Sequence, residues 1–342
     1  MSKHDLISEL HGKEILITGG CGFIGSEITK QLSSIGAHVT ILDNLSSGKE
    51  EYIANLSHVK LIKGDLLDIE VVKNAIANKE YILHLAALPF IPDSYYYPMK
   101  FFDVNVNATI RLGLAAIKEK SVKRLVHVSS SEIYGSARYT PMDESHPTIP
   151  QSTYAVSKLA GERVIFTMHK EHNLPAVIIR PFNSFGPNIT QPYVIPEIIN
   201  QILNGKTEVN LGNITSRRDL TFVSDTAEAM IIALVVEGIV GETLNIGSEH
   251  STTIKDLVKI ISDLLSKDIT IKIDPSRFRP YDVDTLVCDY SRATRLLGWK
   301  PKISLTNGLQ ITIDWMKDHK IKLKEPFKGW ISTYKNNEKS HK

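Results

Sequence analysis

Two cysteines, Cys21 and Cys288, are all that the 342 residues contain. A disulfide-stapled secreted scaffold is therefore excluded, and a reduced, cytoplasmic protein is the expectation. Charge of one sign is also missing. Forty basic side chains face 38 acidic ones, for a net charge of +2, so nothing calls for nucleic acid or a membrane surface. No apolar run approaches the roughly 20 residues that span a bilayer, and positions 1–11 lack the apolar stretch of a signal peptide. The twelve histidines show no metal-ligand spacing, so no metal is expected. Internal repeats and low-complexity segments are absent as well.

What is present is a repeated alternation. Short apolar runs at 14–18, 38–42, 59–62, 81–85, 124–128 and 176–179 read as buried strands, with helical spacing at 23–32, 68–77, 99–118 and 154–171. Strand and helix in turn predict an α/β fold, a doubly wound parallel Rossmann sheet with helices on both faces. After Arg180 the rhythm loosens around Pro181, Pro187, Pro192 and Pro196. This divides the chain into a nucleotide-binding domain at 1–182, with elements returning near 219–247, and a smaller, interleaved mixed α/β substrate lobe at 183–330. A polar tail follows at 331–342.

The first strand runs into Thr18-Gly19-Gly20-Cys21-Gly22-Phe23-Ile24-Gly25. Gly19 permits a tight turn, Gly22 lets a pyrophosphate approach the backbone, and Gly25 lets helix and sheet pack closely. The helix start at Phe23 and Ile24 then offers free N–H groups to phosphate. Asp43 ends the second strand, 24 residues past Gly19. A carboxylate there accepts both ribose hydroxyls of NAD and repels a 2′-phosphate, although a loop cap is the plainer alternative. No arginine follows in the loop to Gly48, which favours NAD over NADP. Asp65 closes the third strand and faces the adenine or merely caps a turn.

The chemistry concentrates in Ser129-Ser130-Ser131-Glu132 and Tyr154-Ala155-Val156-Ser157-Lys158. Tyr and Lys four apart share one helix face. An ammonium beside a phenol favours phenolate, so Tyr154 is expected to act as a base well below its free pKa. Hydroxyls at the end of the preceding strand can bond the same substrate oxygen. Glu132 is surplus to alcohol oxidation and asks for a second proton transfer.

Together these segments resemble the extended short-chain dehydrogenase/reductase family, whose members act on nucleotide-linked sugars. The likeness spans about 13–315 and adds His84-Leu85-Ala86-Ala87, Asn105-Val106, Arg180-Pro181-Phe182-Asn183, Arg218-Asp219-Leu220 and Leu297-Gly298-Trp299. It implies that Asn44, Ser47, Gly48, Leu66, Leu85, Ala86, Ala87 and Pro181 border NAD, with Lys158 on the ribose. It also implies that Asn183 meets the sugar nucleotide and that Arg218 and Arg279 clamp its diphosphate. A planar, permanently charged fork suits that task. Ion pairing with Asp219 or Asp282 is the plainer reading of the arginines, and Arg277 competes with Arg279 for the role. Helices at 101–118 and 154–172 correspond to a dimer interface in the family, so a homodimer is expected.

The run from His127 to Gly135 resembles the Thr-Ser-Glu or Thr-Asp-Glu segment of 4,6-dehydratases of that family, with Ser130, Ser131 and Glu132 at the three positions. This implies oxidation at C4, removal of the C5 proton by Glu132 with loss of the C6 hydroxyl, and hydride return to C6. The segments 139–160 and 276–299 look most like the GDP-sugar and N-acetylaminosugar branch. Two alternatives stay open. A 4-epimerase needs no base at C5, and UDP-glucuronate decarboxylases carry the same Thr-Ser-Glu but need a cation for the sugar carboxylate, with Arg111, Arg138 and Arg217 as candidates.

Overall fold

The computed structural model describes residues 3–319; the tail read at 331–342 lies outside them. A short helix α1 (Lys3–Ser8) leads into strand β1 (Glu14–Thr18) and helix α2 (Phe23–Ser34). Then come β2 (His38–Asp43), β3 (Val59–Lys63), α3 (Ile69–Ile76) and β4 (Tyr81–His84). Next are α4 (Ile91–Tyr96), α5 (Pro98–Phe102), α6 (Ala108–Lys118), β5 (Arg124–Val128), α7 (Thr153–His172) and β6 (Ala176–Pro181).

Seven parallel strands form the main sheet in the order β10-β6-β5-β4-β1-β2-β3, where β10 spans Thr243–Ile246. The strands read as unbroken apolar runs because helices cover both faces; Ile15, Leu16 and Ile17 are all fully buried. One core lies between the sheet and α2 together with α9 (Val223–Val235) and α11 (Ser291–Leu297). The other face packs on α3, α6 and α7. Strand order reverses between β1 and β4, and the crevice outside the C-terminal strand ends at such a reversal is where ligands bind in open α/β sheets.

The remaining elements build a smaller layer beside that crevice. Strands β7 (Asn183–Phe185), β9 (Arg217–Phe222) and β11 (Ser251–Thr253) form one sheet; β8 (Glu208–Leu211) and β12 (Thr270–Ile273) pair as another. Their core is closed by α8 (Val194–Leu203), α10 (Ile254–Leu264) and α12 (Leu305–Asp318).

One helix departs from its expected form. The single helix read at 99–118 is three pieces: α5, a π-helical turn at Asp103–Asn107, and α6. The wider turn carries buried Asn105, whose Oδ1 accepts the Leu88 N–H at 2.8 Å and whose Nδ2 donates to the Ser157 hydroxyl at 2.9 Å. A π turn at a functional wall is a recurrent placement.

Among the described residues no helix is long and apolar enough to cross a membrane. No group of three or more His, Cys, Asp or Glu side chains there is placed to hold a metal ion. Cys21 and Cys288 are both buried and free.

Candidate active site

A cavity of about 760 Å³ opens along the C-terminal ends of the main strands and runs into the smaller layer. Following β1, its wall is Gly19, Gly22, Phe23, Ile24 and Gly25. Gly19 holds φ +74°, and a Cβ there would lie 2.8 Å from the Ala86 nitrogen. At Gly25 a Cβ would lie 2.1 Å from the Gly19 oxygen, so α2 can approach the loop only as glycine. The N-cap of α2, Gly22, gives no side-chain cap, and its first turn has no acidic residue. Its leading N–H groups and partial positive charge thus face the cavity floor, as a pyrophosphate requires.

Asp43, Asn44 and Ser47 from the end of β2, and Asp65 and Leu66 after β3, continue the wall. Asp43 serves its plainer role too: Oδ2 accepts the Cys21 N–H at 3.0 Å and Oδ1 the Leu45 N–H at 2.8 Å. Each carboxylate oxygen keeps a further lone pair for a ribose hydroxyl, so the two roles coexist. Asp65 accepts Asn44 Nδ2 at 3.0 Å and the Leu67 N–H at 2.9 Å. Gly48 does not line the cavity; it packs on the backbone of Cys21 and holds the two loops together.

After β4, the segment Leu85, Ala86, Ala87 lies across from the glycine loop. Its conformation is set from beneath. Thr109 Oγ1 donates to the Asn105 carbonyl at 2.9 Å, so it must accept from His84 Nε2, also at 2.9 Å. His84 Nδ1 is then the acceptor for the Thr18 hydroxyl at 2.7 Å, and Thr18 Oγ1 in turn takes the Ala86 N–H at 3.3 Å. Burial pushes His84 down to about 3, which keeps this imidazole neutral. Neither His84 nor Asn105 was assigned a role from sequence, although both sit inside segments that carried the resemblance.

The reactive groups converge at the ends of β5 and β6. Ser130, Ser131, Glu132, Tyr154, Lys158, Pro181 and Asn183 all line the cavity. Ser130 caps the 3₁₀ turn Ser131–Tyr134, accepting the Glu132 N–H at 3.2 Å. The same hydroxyl acts on the Tyr154 phenol, drawing its pKa down against the larger upward effect of burial. Asn183 Oδ1 and Ser129 Oγ are buried with no hydrogen-bond partner among the described residues. Orphaned acceptors of this kind at a cavity wall are what a polar ligand satisfies.

One expectation fails here. Lys158 does not lower Tyr154: its Nζ donates to the Val128 carbonyl at 2.6 Å, and burial pushes the phenol up to about 12. Burial also pulls Lys158 down to about 8. Sharing a helix face does not by itself couple the two groups; burial is the leading cause at each.

Arg218 and Arg279 meet on one carboxylate, at 3.4 and 3.5 Å from Asp282 Oδ1. Arg277 is separate, paired with Glu197 at 3.1 Å and with Asp274. Asp219 takes neither arginine; it accepts from Ser248, Glu249 and Cys288. Tyr193 also lines the cavity, edge-on to Phe90, and burial pushes its phenol up.

A family described as GDP-mannose 4,6 dehydratase matches residues 16–312. The chain belongs to that family. A dTDP-glucose 4,6-dehydratase of Streptomyces niveus is 30% identical over 90% of this chain and 93% of its own length. A UDP-N-acetyl-α-D-glucosaminuronate decarboxylase of Bacillus cytotoxicus is also 30% identical, over 90% of this chain and 98% of its own. A solved UDP-glucuronic acid 4-epimerase of Bacillus cereus, in complex with UDP-glucuronic acid and NAD, superposes with a TM-score of 0.84. It is 28% identical, over 90% of this chain and 99% of that one. Within this family, three net reactions share one fold at nearly equal distance from the chain.

Proposed function

We propose that the protein is an NAD-dependent nucleotide-sugar 4,6-dehydratase, converting a nucleoside-diphosphate hexose to its 4-keto-6-deoxy form. The observation that carries this reading is Glu132, a carboxylate on the cavity wall in the 3₁₀ turn that Ser130 caps, beside Tyr154 and Lys158 on the same wall. Gly19, Gly22, Gly25, Asp43, Asp65 and Ala86 hold the NAD, with Lys158 and Pro181 toward its reactive end. Bound NAD supplies the hydride acceptor at C4 and gives the hydride back at C6, so it leaves unchanged.

Tyr154, with the Ser130 hydroxyl helping to hold the substrate oxygen, takes the proton of the 4-hydroxyl. Because the phenol rests high, it needs positive charge close by at that moment, and Lys158 is still mostly protonated at neutral pH. The new C4 ketone acidifies the C5 hydrogen. Glu132 removes that proton while the C6 hydroxyl departs as water; with Ser131 where some dehydratases have an Asp, Glu132 serves as both base and acid. Arg218 and Arg279 receive the diphosphate in exchange for Asp282, and Asn183 orients the sugar-nucleotide.

The cations along the cavity support a substrate with a neutral C6. Among the described residues they are Lys100, Lys158, Arg218, Arg277 and Arg279. Lys158 faces Val128, the three arginines face carboxylates, and Lys100 is exposed. Arg111, Arg138 and Arg217, the candidates for gripping a uronate, are not on the wall, and Arg217 instead donates to Ser251. Exposed Leu114 on α6 and Val156 on α7 fit a dimer built on those helices.

The test is product mass after incubation with GDP-, UDP- and dTDP-hexoses and hexuronates, without added reductant. Loss of one water from a hexose supports the proposal. Loss of carbon dioxide from a uronate, or a new stereoisomer of unchanged mass, would replace it with decarboxylation or 4-epimerisation.

A further inference from the structure

Behind the reactive groups lies a buried ion pair that the chemistry above does not use. Glu162 on α7 is fully buried, one helical turn beyond Lys158. Arg180 on β6 forks onto it, with Nη2 on Oε1 at 2.6 Å and Nε on Oε2 at 3.0 Å. The guanidinium also donates to the Tyr134 hydroxyl at 2.7 Å and lies over the Tyr134 ring at 5.0 Å. Tyr134 OH donates in turn to Asn245 Oδ1 at 2.7 Å on β10. Tyr134 ends the same 3₁₀ turn that holds Glu132.

Such a pair is poor equipment for stability, since burying both charges costs about as much as their attraction returns. Its position suggests a different use. We infer that Glu162 and Arg180 are a positioning pair: the carboxylate is the buried counter-charge of Lys158, and the guanidinium fixes the turn bearing Glu132 against the helix bearing Tyr154. This rests on the proposed reaction for the role of Glu132, but not for the state of Lys158.

The groups facing Lys158 make the first half specific. On its own helix are Tyr154 and Glu162; on β5 are the Val128 carbonyl and His127, and on β4 is His84. Burial holds both histidines neutral, and Tyr154 rests as a phenol. Glu162 is then the carboxylate whose charge favours the ammonium. The second half follows from rigidity. A bidentate fork tolerates little rotation, so the Tyr134 end of the turn cannot slide along α7 without breaking it.

Two variants of the full-length protein test the halves separately. Glu162→Gln keeps a hydrogen-bonding group against Arg180 but removes the negative charge, and cooperative melting checks the fold. With [ε-13C]lysine, the Lys158 signal is assigned by its loss in Lys158→Met and titrated by NMR. Its midpoint, expected at about 8 in the wild type, should fall by about one pH unit or more in Glu162→Gln. An unmoved midpoint in the folded variant overturns the counter-charge. Arg180→Lys keeps the charge but loses the fork. It should leave the Lys158 midpoint in place while water loss slows about tenfold more than C4 oxidation, read as transient reduced nicotinamide. Equal slowing of both steps overturns the turn-fixing role. If the wild type releases no water from any hexose nucleotide, the dehydratase reading fails, and the Lys158 titration alone decides the inference.

Discussion

Asn105 and Leu88 grip each other through both main-chain groups: Asn105 Oδ1 accepts the Leu88 N–H at 2.8 Å, and Nδ2 donates to the Leu88 carbonyl at 3.3 Å. The amide imitates a neighbouring strand for a segment that has left the sheet. Asn105→Ala would strand both main-chain groups of part-buried Leu88, while Ser157 keeps its bond to the Tyr154 carbonyl at 2.7 Å, at a cost of about 2–3 kcal/mol. Thermal melting should show that loss. Isothermal titration with NAD should show weaker binding than the wild type, because the Ala86–Leu88 wall loses its anchor; unchanged NAD affinity would confine Asn105 to stability.

Lys158 gives a pH prediction. Its pKa is about 8 in the folded chain against 10.5 unperturbed. Between those values the unfolded chain holds more protons, so stability should rise with pH from about 8 to 10.5 and the burial cost is fully present below 8. Denaturant melts of wild type and Lys158→Met across that range should differ by this slope. Over the same range kcat/KM for C4 oxidation should fall as the positive charge of Lys158 on the cavity wall is lost.

Glu132→Gln keeps the shape of the side chain and removes the base. Reduced nicotinamide should still appear on adding substrate, while water loss drops by at least about a hundredfold. Mass spectrometry of the product and absorbance of the cofactor read the two steps separately. Dehydration at the wild-type rate would remove Glu132 from the chemistry.

Asp282 competes with the ligand for the arginine clamp. In Asp282→Asn a diphosphate meets Arg218 and Arg279 without an opposing carboxylate. Free UDP, GDP or dTDP should bind about fivefold tighter at low salt, roughly 1 kcal/mol. Calorimetry reads this directly; weaker binding would show that the carboxylate organises the arginines.

Much of the parallel sheet is legible because its inner strands β1, β4, β5 and β6 are buried on both faces, which leaves apolar runs in the sequence. The π turn at Asp103–Asn107 is not, since helical periodicity continues through it and the extra residue in the turn leaves no compositional mark. For the site, residue types and spacing point to the cavity wall from Gly19 to Asn183. They cannot say where an ammonium points: Lys158 shares a face with Tyr154, yet the Val128 carbonyl, 30 residues away in sequence, claims it. The split between Arg277 and Arg279 is equally invisible, because it depends on Glu197, brought in by α8, and on Asp282, in a separate loop.

Strand β10 closes the edge of the main sheet, pairing Thr243 with Ile178 and Ile246 with Pro181. More than sixty residues, carrying β7, α8, β8 and β9 of the second layer and then α9, are threaded between β6 and that closing strand. During synthesis the first 182 residues would therefore emerge with an open strand edge and without α9 to cover one face. The site's two halves are then expected to reach their native state in a single late event, and a fragment cut at 182 should be prone to associate through its bare edge.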